Sequence, residues 1–116
     1  MSSENIGKPF KVTFSDKIMY QDPVVVVAMV DIAGEAEVAS PERSGEENDI
    51  VYVQTIIKIA LREVMEFMGI QGVSAKNLPS RVSEIVEVCA ASLIEKNFRV
   101  NTFNITSIGP ASGVST

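Results

Sequence analysis

Near its beginning the chain alternates apolar and polar residues with a period of two, as β-strands do. In the segment FKVTFS, Phe10, Val12 and Phe14 lie on one face, so we predict a strand there. KIMYQ either continues this strand or forms a returning one. Asp22-Pro23 then predicts a turn, because proline fixes φ and aspartate can accept hydrogen bonds from the following backbone.

The next apolar segment, VVVVAMVDIAGEAEVAS, begins with four consecutive β-branched residues. We predict a buried strand over residues 24–32, a bend near Gly34 and a short strand after it. A buried helix is the alternative, but four adjacent valines disfavour it because β-branched side chains lose rotamer freedom in helices.

A charged segment with proline and glycine, SPERSGEENDI, follows at residues 40–50. Its acidic residues lack the alternate spacing and the closing glutamate of a calcium loop, so a solvated loop is the better interpretation. We expect Asn48 or Asp49 to cap the helix that follows by accepting hydrogen bonds from its first turn.

Two amphipathic helices come next. Apolar residues recur every three or four positions from Val51 to Met68, and Gly69 is predicted to end this first helix. Asn77 and Pro79 predict the start of a second helix, and Asn97 suits a left-handed residue after its end. Six residues form the predicted inner face of the second helix: Val82, Ile85, Val86, Cys89, Ala90 and Leu93.

The segment FRVNTFNITSIGP, residues 98–110, predicts a last strand whose alternation breaks twice. Its apolar residues are Phe98, Val100, Phe103, Ile105 and Ile108. Two residues rather than one separate Val100 from Phe103, and again Ile105 from Ile108. A β-bulge at each break would keep the apolar side of a curling strand facing the helices.

The order of strands, helix, helix and strand predicts an α+β fold, with two helices on one face of a small, mostly antiparallel sheet. The chain of 116 residues is long enough for one modest core. We predict a single domain over residues 9–110 between flexible ends at residues 1–8 and 111–116, which are rich in small and polar residues.

Charge and composition exclude several classes of partner. The net charge of −5 argues against nucleic acid binding and provides no basic segment for anionic lipids. The longest apolar run, Pro23–Val30, is far shorter than the roughly 20 residues of a spanning helix. We expect no membrane insertion by this chain. The single cysteine and the absence of a signal-peptide pattern favour the cytoplasm.

Residues that could carry chemistry are few. The sequence has no histidine and no glycine-rich phosphate loop, and Cys89 is predicted to be buried on an apolar helix face. Two carboxylate pairs, Glu63 with Glu66 and Glu84 with Glu87, lie on or beside polar helix faces, where solvation is expected. We therefore expect no enzyme, no cofactor and no metal.

Four apolar residues lie away from the core-facing stripes of the predicted helices: Ile59, Met65, Val88 and Ile94. They either pack under sheet edges and loops or form a protein–protein interface, since exposed apolar patches on small domains often mark one. The expected partner is a second copy of the chain or another protein.

Several of these features together resemble the SPFH, or band 7, domain of stomatin, prohibitin and flotillin. ALREV in the first helix, Arg81 near the start of the second, the apolar spacing of residues 98–108 and the following Pro110 carry the resemblance. YQDP also resembles the DP that ends an early strand of these domains. The four valines after it depart from the family pattern, and the second helix is short.

The resemblance implies a non-enzymatic scaffold module that self-associates or docks onto a protein partner. The membrane-anchoring hairpin and long coiled coil of the family are missing, so the resemblance implies an excised domain or a minimal soluble relative of the virion-core-like SPFH branch. A longer protein with an anchor would bring the domain to a membrane surface. The alternative function is a small binding module for a peptide or small molecule, which would use a groove or a strand edge.

Overall fold

The structure is a computed structural model that describes residues 7–111, so most of the two predicted flexible ends lies outside the described residues. It contains β1 (Phe10–Tyr20), β2 (Ala28–Ala39), α1 (Glu47–Ile70), a 3₁₀ segment (Ala75–Arg81), α2 (Val82–Glu95) and β3 (Arg99–Pro110). The three strands form an antiparallel sheet in the order β1-β2-β3. The predicted α+β class is confirmed.

The core lies between the sheet and the two helices. Even-numbered residues of β1 and β2 face inward, among them Val12, Ile18 and Ile32, and pack with Leu61 of α1 and Ile85 of α2. KIMYQ continues the first strand instead of returning, because β1 pairs with β2 without interruption along its whole length. Among residues 7–111, no helix is both long enough and apolar enough to cross a membrane.

The prediction for the second strand is partly wrong. Residues 24–27 lie in an exposed bend outside the sheet, and β2 begins only at Ala28. It then passes through Gly34 as one strand, in place of the expected bend. A Cβ at Gly34 would lie 2.6 Å from the Phe14 ring and would collide with the Asn104 carbonyl, so glycine serves the close approach of neighbouring strands.

Both predicted breaks in β3 are confirmed as register shifts against β2. Glu37 pairs with Thr102 while Val38 pairs with Val100, so Asn101 is an extra residue. Ala33 and Gly34 likewise pair with Ser107 and Ile105, which leaves Thr106 as the second extra residue. These β-bulges keep the apolar residues of β3, namely Val100, Phe103, Ile105 and Ile108, packed against the core.

The first helix is longer than predicted, and Gly69 does not end it. α1 continues to Ile70, and the left-handed residue is Gly72, with φ of 84°. The N–H groups of Gly72 and Val73 donate to the carbonyls of Gly69 and Met68, a pattern that commonly closes helices. Gly69 instead permits close packing, because a Cβ there would lie 3.0 Å from the Gln21 carbonyl oxygen.

The start of α1 also differs from the prediction. Asn48 and Asp49 lie inside its first turn, and no side-chain hydrogen bond caps the helix at Glu46. Asp49 reaches back instead and accepts N–H hydrogen bonds from Ser44 and Gly45 at 3.0 and 3.1 Å. The buried carboxylate therefore holds residues 40–46, which we call the charged loop, against the helix.

The second helix broadly follows its prediction. Asn77 and Pro79 fall in the 3₁₀ segment, and α2 itself begins at Val82. Of the predicted inner face, Ile85, Cys89 and Leu93 are fully buried, and Val82, Val86 and Ala90 are partly buried. Asn97 adopts the predicted left-handed conformation, with φ of 70°.

Candidate protein-docking site

The bend between β1 and β2 exposes four adjacent apolar side chains. Val24–Val27 are between 50% and 79% exposed, and Pro23 before them is exposed as well. We call residues 23–27 the valine loop. Met19 on one side and Ile70 at the end of α1 are 72% and 78% exposed. Together with the valine loop, these two residues form what we call the apolar end of the molecule.

Asp22 fastens the valine loop to the rest of the fold. Its Oδ1 accepts the N–H groups of Val24 and Val25 at 2.7 and 2.9 Å. Its Oδ2 accepts the N–H of Ala75 at 2.7 Å, across 53 positions of the chain. These donors, with Ala75 first, hold the pKa of the Asp22 carboxyl below its usual range. The carboxylate stays ionised and ties the loop to the start of the 3₁₀ segment.

Tyr20 forms a second tie to the same connector. Its side chain is buried, and its hydroxyl donates to the Val73 carbonyl at 2.5 Å. Burial, and after it the negative charge of Asp22, raises the pKa of Tyr20, so the hydroxyl keeps its proton. Two adjacent hydrogen-bonding side chains therefore join the end of β1 to the segment after α1, and the valine loop between β1 and β2 has a defined position.

A groove of about 600 Å³ borders the valine loop. It lies between the last residues of β1 and the last two turns of α1, and it is mainly apolar. Its lining residues include Ile18, Tyr20, Val27, Met65, Arg62, Glu66 and Ile70. Because Val27 and Ile70 belong to both, the groove and the apolar end form one continuous surface.

Two charged residues of α1 border this groove. Arg62 forms an ion pair with Asp16 at 3.0 Å, although its own side chain remains 54% exposed. Asp16 is the one carboxylate on the inward face of β1, and the guanidinium compensates its charge there. Glu66 lies one helical turn after Arg62, is exposed, and forms no ion pair within residues 7–111.

The structure separates the four residues that the sequence predicts for an interface. Ile59 and Ile94 are 56% and 59% exposed, and Val88 is exposed to a smaller extent. Met65 is only 1% exposed, so it belongs to the core beneath the groove and not to the protein surface. Helical position alone suggests a surface flank for Met65, but β1 covers that side of α1. An interface role for the other three stays a prediction.

The side chains that could take part in catalysis or metal binding lie apart from one another. Cys89 is completely buried, and burial raises its pKa to about 12, so the thiol is protonated and shielded. Glu63, Glu84 and Glu87 are exposed on the helices, and only Glu66 borders the groove. Within residues 7–111, no three cysteine or carboxylate side chains cluster closely enough to hold a metal ion.

Sequence reasoning misses the main elements of this site. Propensity places the four valines in the core because β-branched residues favour strands, although their composition is the same in an exposed loop. The signal for the loop is Asp22-Pro23, which by itself indicates only a turn before the strand. Arg62 and Ile70 become site residues only through the packing of α1 on β1.

Comparison with known proteins identifies no relative: no family model, no curated protein and no solved structure matches this chain. The resemblance to the SPFH domain therefore stays a prediction from the sequence.

Proposed function

We propose that this chain is a non-enzymatic assembly module that docks onto a protein partner through its apolar end. The observation that carries the proposal is the valine loop. Its four adjacent apolar side chains are exposed to solvent, and the buried Asp22 restrains its backbone through hydrogen bonds. Contiguous exposed apolar surface of this kind marks interaction sites on soluble domains.

The energetics of the loop support docking. Burying one valine side chain is worth roughly 1.5–3 kcal/mol relative to leaving it exposed, so covering several of them provides a substantial driving force. The Asp22 hydrogen bonds restrict the loop before any partner arrives. Ordering an interface loop usually reduces affinity, and a loop that is already restrained avoids part of that loss.

The groove supports a second candidate function, the binding of a short apolar peptide or a small molecule. Its volume of about 600 Å³ lies within the range of roughly 300–1,000 Å³ that is common for such sites. Arg62 and Glu66 at its rim would orient a polar group of the ligand. The scaffold function remains our first proposal because the valine loop lies mostly outside the groove, and a ligand confined there would leave it exposed.

A photo-crosslinking amino acid tests the first proposal. We would place a benzophenone side chain at Val25 in cells that naturally produce the chain, with Ser107 on the outer sheet face as the matched exposed control. We expect one defined protein adduct from position 25 and none from position 107. The purified adduct protein should bind the wild-type chain and lose at least about tenfold in affinity for the Val25→Asp variant.

Adducts of position 25 with lipids alone, or equal labelling from both positions, would overturn the proposal. Saturable binding of a peptide or metabolite that labels Arg62 or Glu66, without a protein adduct at Val25, would favour the groove function instead.

A further inference from the structure

Four exposed residues of α1 form a row on the side of the helix that faces away from the core: Ile59, Arg62, Glu66 and Ile70. Their spacing of three, four and four residues places them on one helical face. The row contains an apolar residue, a positive charge, a negative charge and an apolar residue. We call it the α1 row.

The α1 row is nearly symmetric about Val64. Arg62 lies two residues before Val64 and Glu66 lies two residues after it. Ile59 and Ile70 lie five residues before and six residues after the same point. In two antiparallel α1 helices that cross at the level of Val64 along the helix axis, while Val64 itself faces the core, each Arg62 therefore faces the other copy's Glu66. Each Ile59 comes close to the other copy's Ile70.

We propose that the partner of the apolar end is a second copy of this chain, bound through antiparallel α1 helices about a two-fold axis. The inference rests on the proposed function, because it names the protein that would cover the apolar end. Charge complementarity between Arg62 and Glu66 favours this arrangement, because a parallel pair in the same register would place Arg62 against Arg62 and Glu66 against Glu66. The exposed Glu63 beside the row would lie near the other copy's Glu63 in either arrangement, so it does not distinguish the two.

The same arrangement extends to the valine loop. Ile70 and Val27 border one groove, so the loop lies just beyond the C-terminal end of the α1 row. In the antiparallel pair this region faces the N-terminal half of the second α1. Val51, which is 52% exposed, lies there, about 20 Å from Val64 at 1.5 Å per residue. The interface thus covers apolar residues along the whole of α1.

Arg62 and Glu66 are both able to form ion pairs with the second copy. Both terminal nitrogens of the Arg62 guanidinium contact Asp16, at 3.0 and 3.4 Å. The guanidinium has five N–H donors, so its remaining donors allow it to bind a second carboxylate. Glu66 is exposed and is without an ion pair among the described residues. Pairs at an interface rim act mainly on orientation and association rate, so the apolar residues supply most of the affinity.

Variants that reverse the charge of Arg62 or Glu66 test the proposed dimer. Sedimentation velocity from about 1 µM to 1 mM should show a monomer–dimer equilibrium for the wild-type chain. Arg62→Glu and Glu66→Arg should each weaken the homodimer at least about tenfold, since each places like charges in contact. An equimolar mixture of the two variants should form a heterodimer, and the doubly exchanged variant should recover the homodimer.

Two isoleucines with nearly equal exposure supply the matched control. Ile59→Glu should dissociate the dimer at least about tenfold, whereas Ile94→Glu on α2 should leave the dimer unchanged. Circular dichroism of every variant checks the fold. Arg62→Glu removes the partner of Asp16, so if that variant is unfolded, Glu66→Arg and the pair of isoleucine variants carry the test.

A wild-type chain that stays monomeric at 1 mM would overturn the inference, as would a mixture of the two folded variants that forms no heterodimer. A dimer that depends on Ile94 and not on Ile59 would overturn it as well. The proposed function would survive each of these results if a crosslinker at Val25 still captured a different protein, so the two failures are distinguishable.

Discussion

The two ends of the β1 strand use the same structural device and present opposite surfaces. At the Tyr20 end, Asp22 accepts N–H groups from the valine loop. At the Phe10 end, Asp49 accepts N–H groups from the charged loop, and Gly45 of that loop lies against Phe10. Each buried carboxylate holds one loop in place. The two loops differ in composition, and only the apolar loop gains free energy from being covered.

Being held in place and being exposed to water are therefore separate properties of a loop. A charged loop that is tied down is already satisfied by water, and an Arg43 that packs over the Tyr52 ring at 4.5 Å adds to that local structure. The side chains of the valine loop, in contrast, are apolar: they form no hydrogen bonds with water and are not buried in the core of their own molecule. Docking is therefore expected at one end of the molecule and not at the other.

The largest expected effect comes from adding charge to the apolar end. Val25→Asp combined with Val26→Asp should weaken association with the partner by about 100-fold, because two apolar side chains worth roughly 1.5 kcal/mol or more each would carry charge instead. The free energy of unfolding should change by less than about 0.5 kcal/mol, since both side chains are exposed. Titration calorimetry and urea unfolding measure the two quantities.

The control for that prediction lies in the charged loop. Pro41→Ala combined with Glu42→Ala, at two exposed positions, should leave association unchanged. Equal losses from both double variants would show that the two ends do not differ as described.

The next largest effect is expected from replacing the carboxylate of Asp49 or Asp22 with an amide. Asp49→Asn keeps the shape of the side chain but weakens its acceptor, and we expect a loss of about 1–3 kcal/mol in the free energy of unfolding. Asp22→Asn should also lower that free energy, and in addition weaken association because it releases the valine loop. Chemical unfolding and binding measurements on both variants test this difference between the two loops. An Asp49→Asn variant with weakened association would contradict it.

Two glycines with left-handed backbone give a smaller, graded effect. A Cβ added at Gly72, after α1, would meet no atom of the described residues within 4 Å, so Gly72→Ala should cost about 1 kcal/mol from backbone strain alone. A Cβ at Gly45 would also lie 2.8 Å from the Phe10 Cβ, so Gly45→Ala should cost more. Thermal unfolding ranks the two variants, and the reverse order would contradict the packing of the charged loop on β1.

The smallest expected effect is the loss of unfolding free energy at acidic pH, when Asp22 and Asp49 become protonated. N–H donors lower the pKa of Asp22, and for Asp49 burial raises the pKa but the donors from Ser44, Gly45 and Glu46 outweigh it. The stabilisation is therefore complete above the unfolded-state pKa near about 4 and disappears as pH falls through the lower folded-state values.

Urea unfolding between pH 7 and pH 2.5 measures this dependence. The difference in unfolding free energy between the wild type and Asp22→Asn should shrink as pH falls below about 4. The Asp22→Asn and Asp49→Asn double variant should show the weakest pH dependence, and a difference that stays constant down to pH 2.5 would contradict the assignment.

The fold is more predictable from the sequence than the site is. The spacing of apolar residues in β3 reports directly which side chains face the helices, so both bulges, at Asn101 and Thr106, can be predicted. Glycine carries less information: Gly69 and Gly72 are equally suited to a helix end, but only Gly72 has the left-handed backbone, and Gly69 packs closely against Gln21.

The site depends on tertiary contacts that no local pattern contains. The sequence predicts that Asp22 acts in a turn, which it does, but its bond to Ala75 requires the whole of α1 to be in place. The angle of Met65 on the helix predicts a surface position, whereas the neighbouring β1 strand decides its burial. The four valines show the same limit, since propensity measures compatibility with a strand and not burial.

The bond between Asp22 and Ala75 has a consequence for the order of folding. The segment PVVVVAMV is uncharged and β-prone, which makes it an aggregation hazard while the chain is only partly folded. In the native state Asp22 occupies the N–H groups of Val24 and Val25, so these groups cannot pair with a strand of another molecule. The aspartate thus acts as a gatekeeper through two local hydrogen bonds, and α1 must be in place before its third bond, to Ala75, can form. During synthesis, the two local bonds alone restrain the valines until residue 75 has left the ribosome.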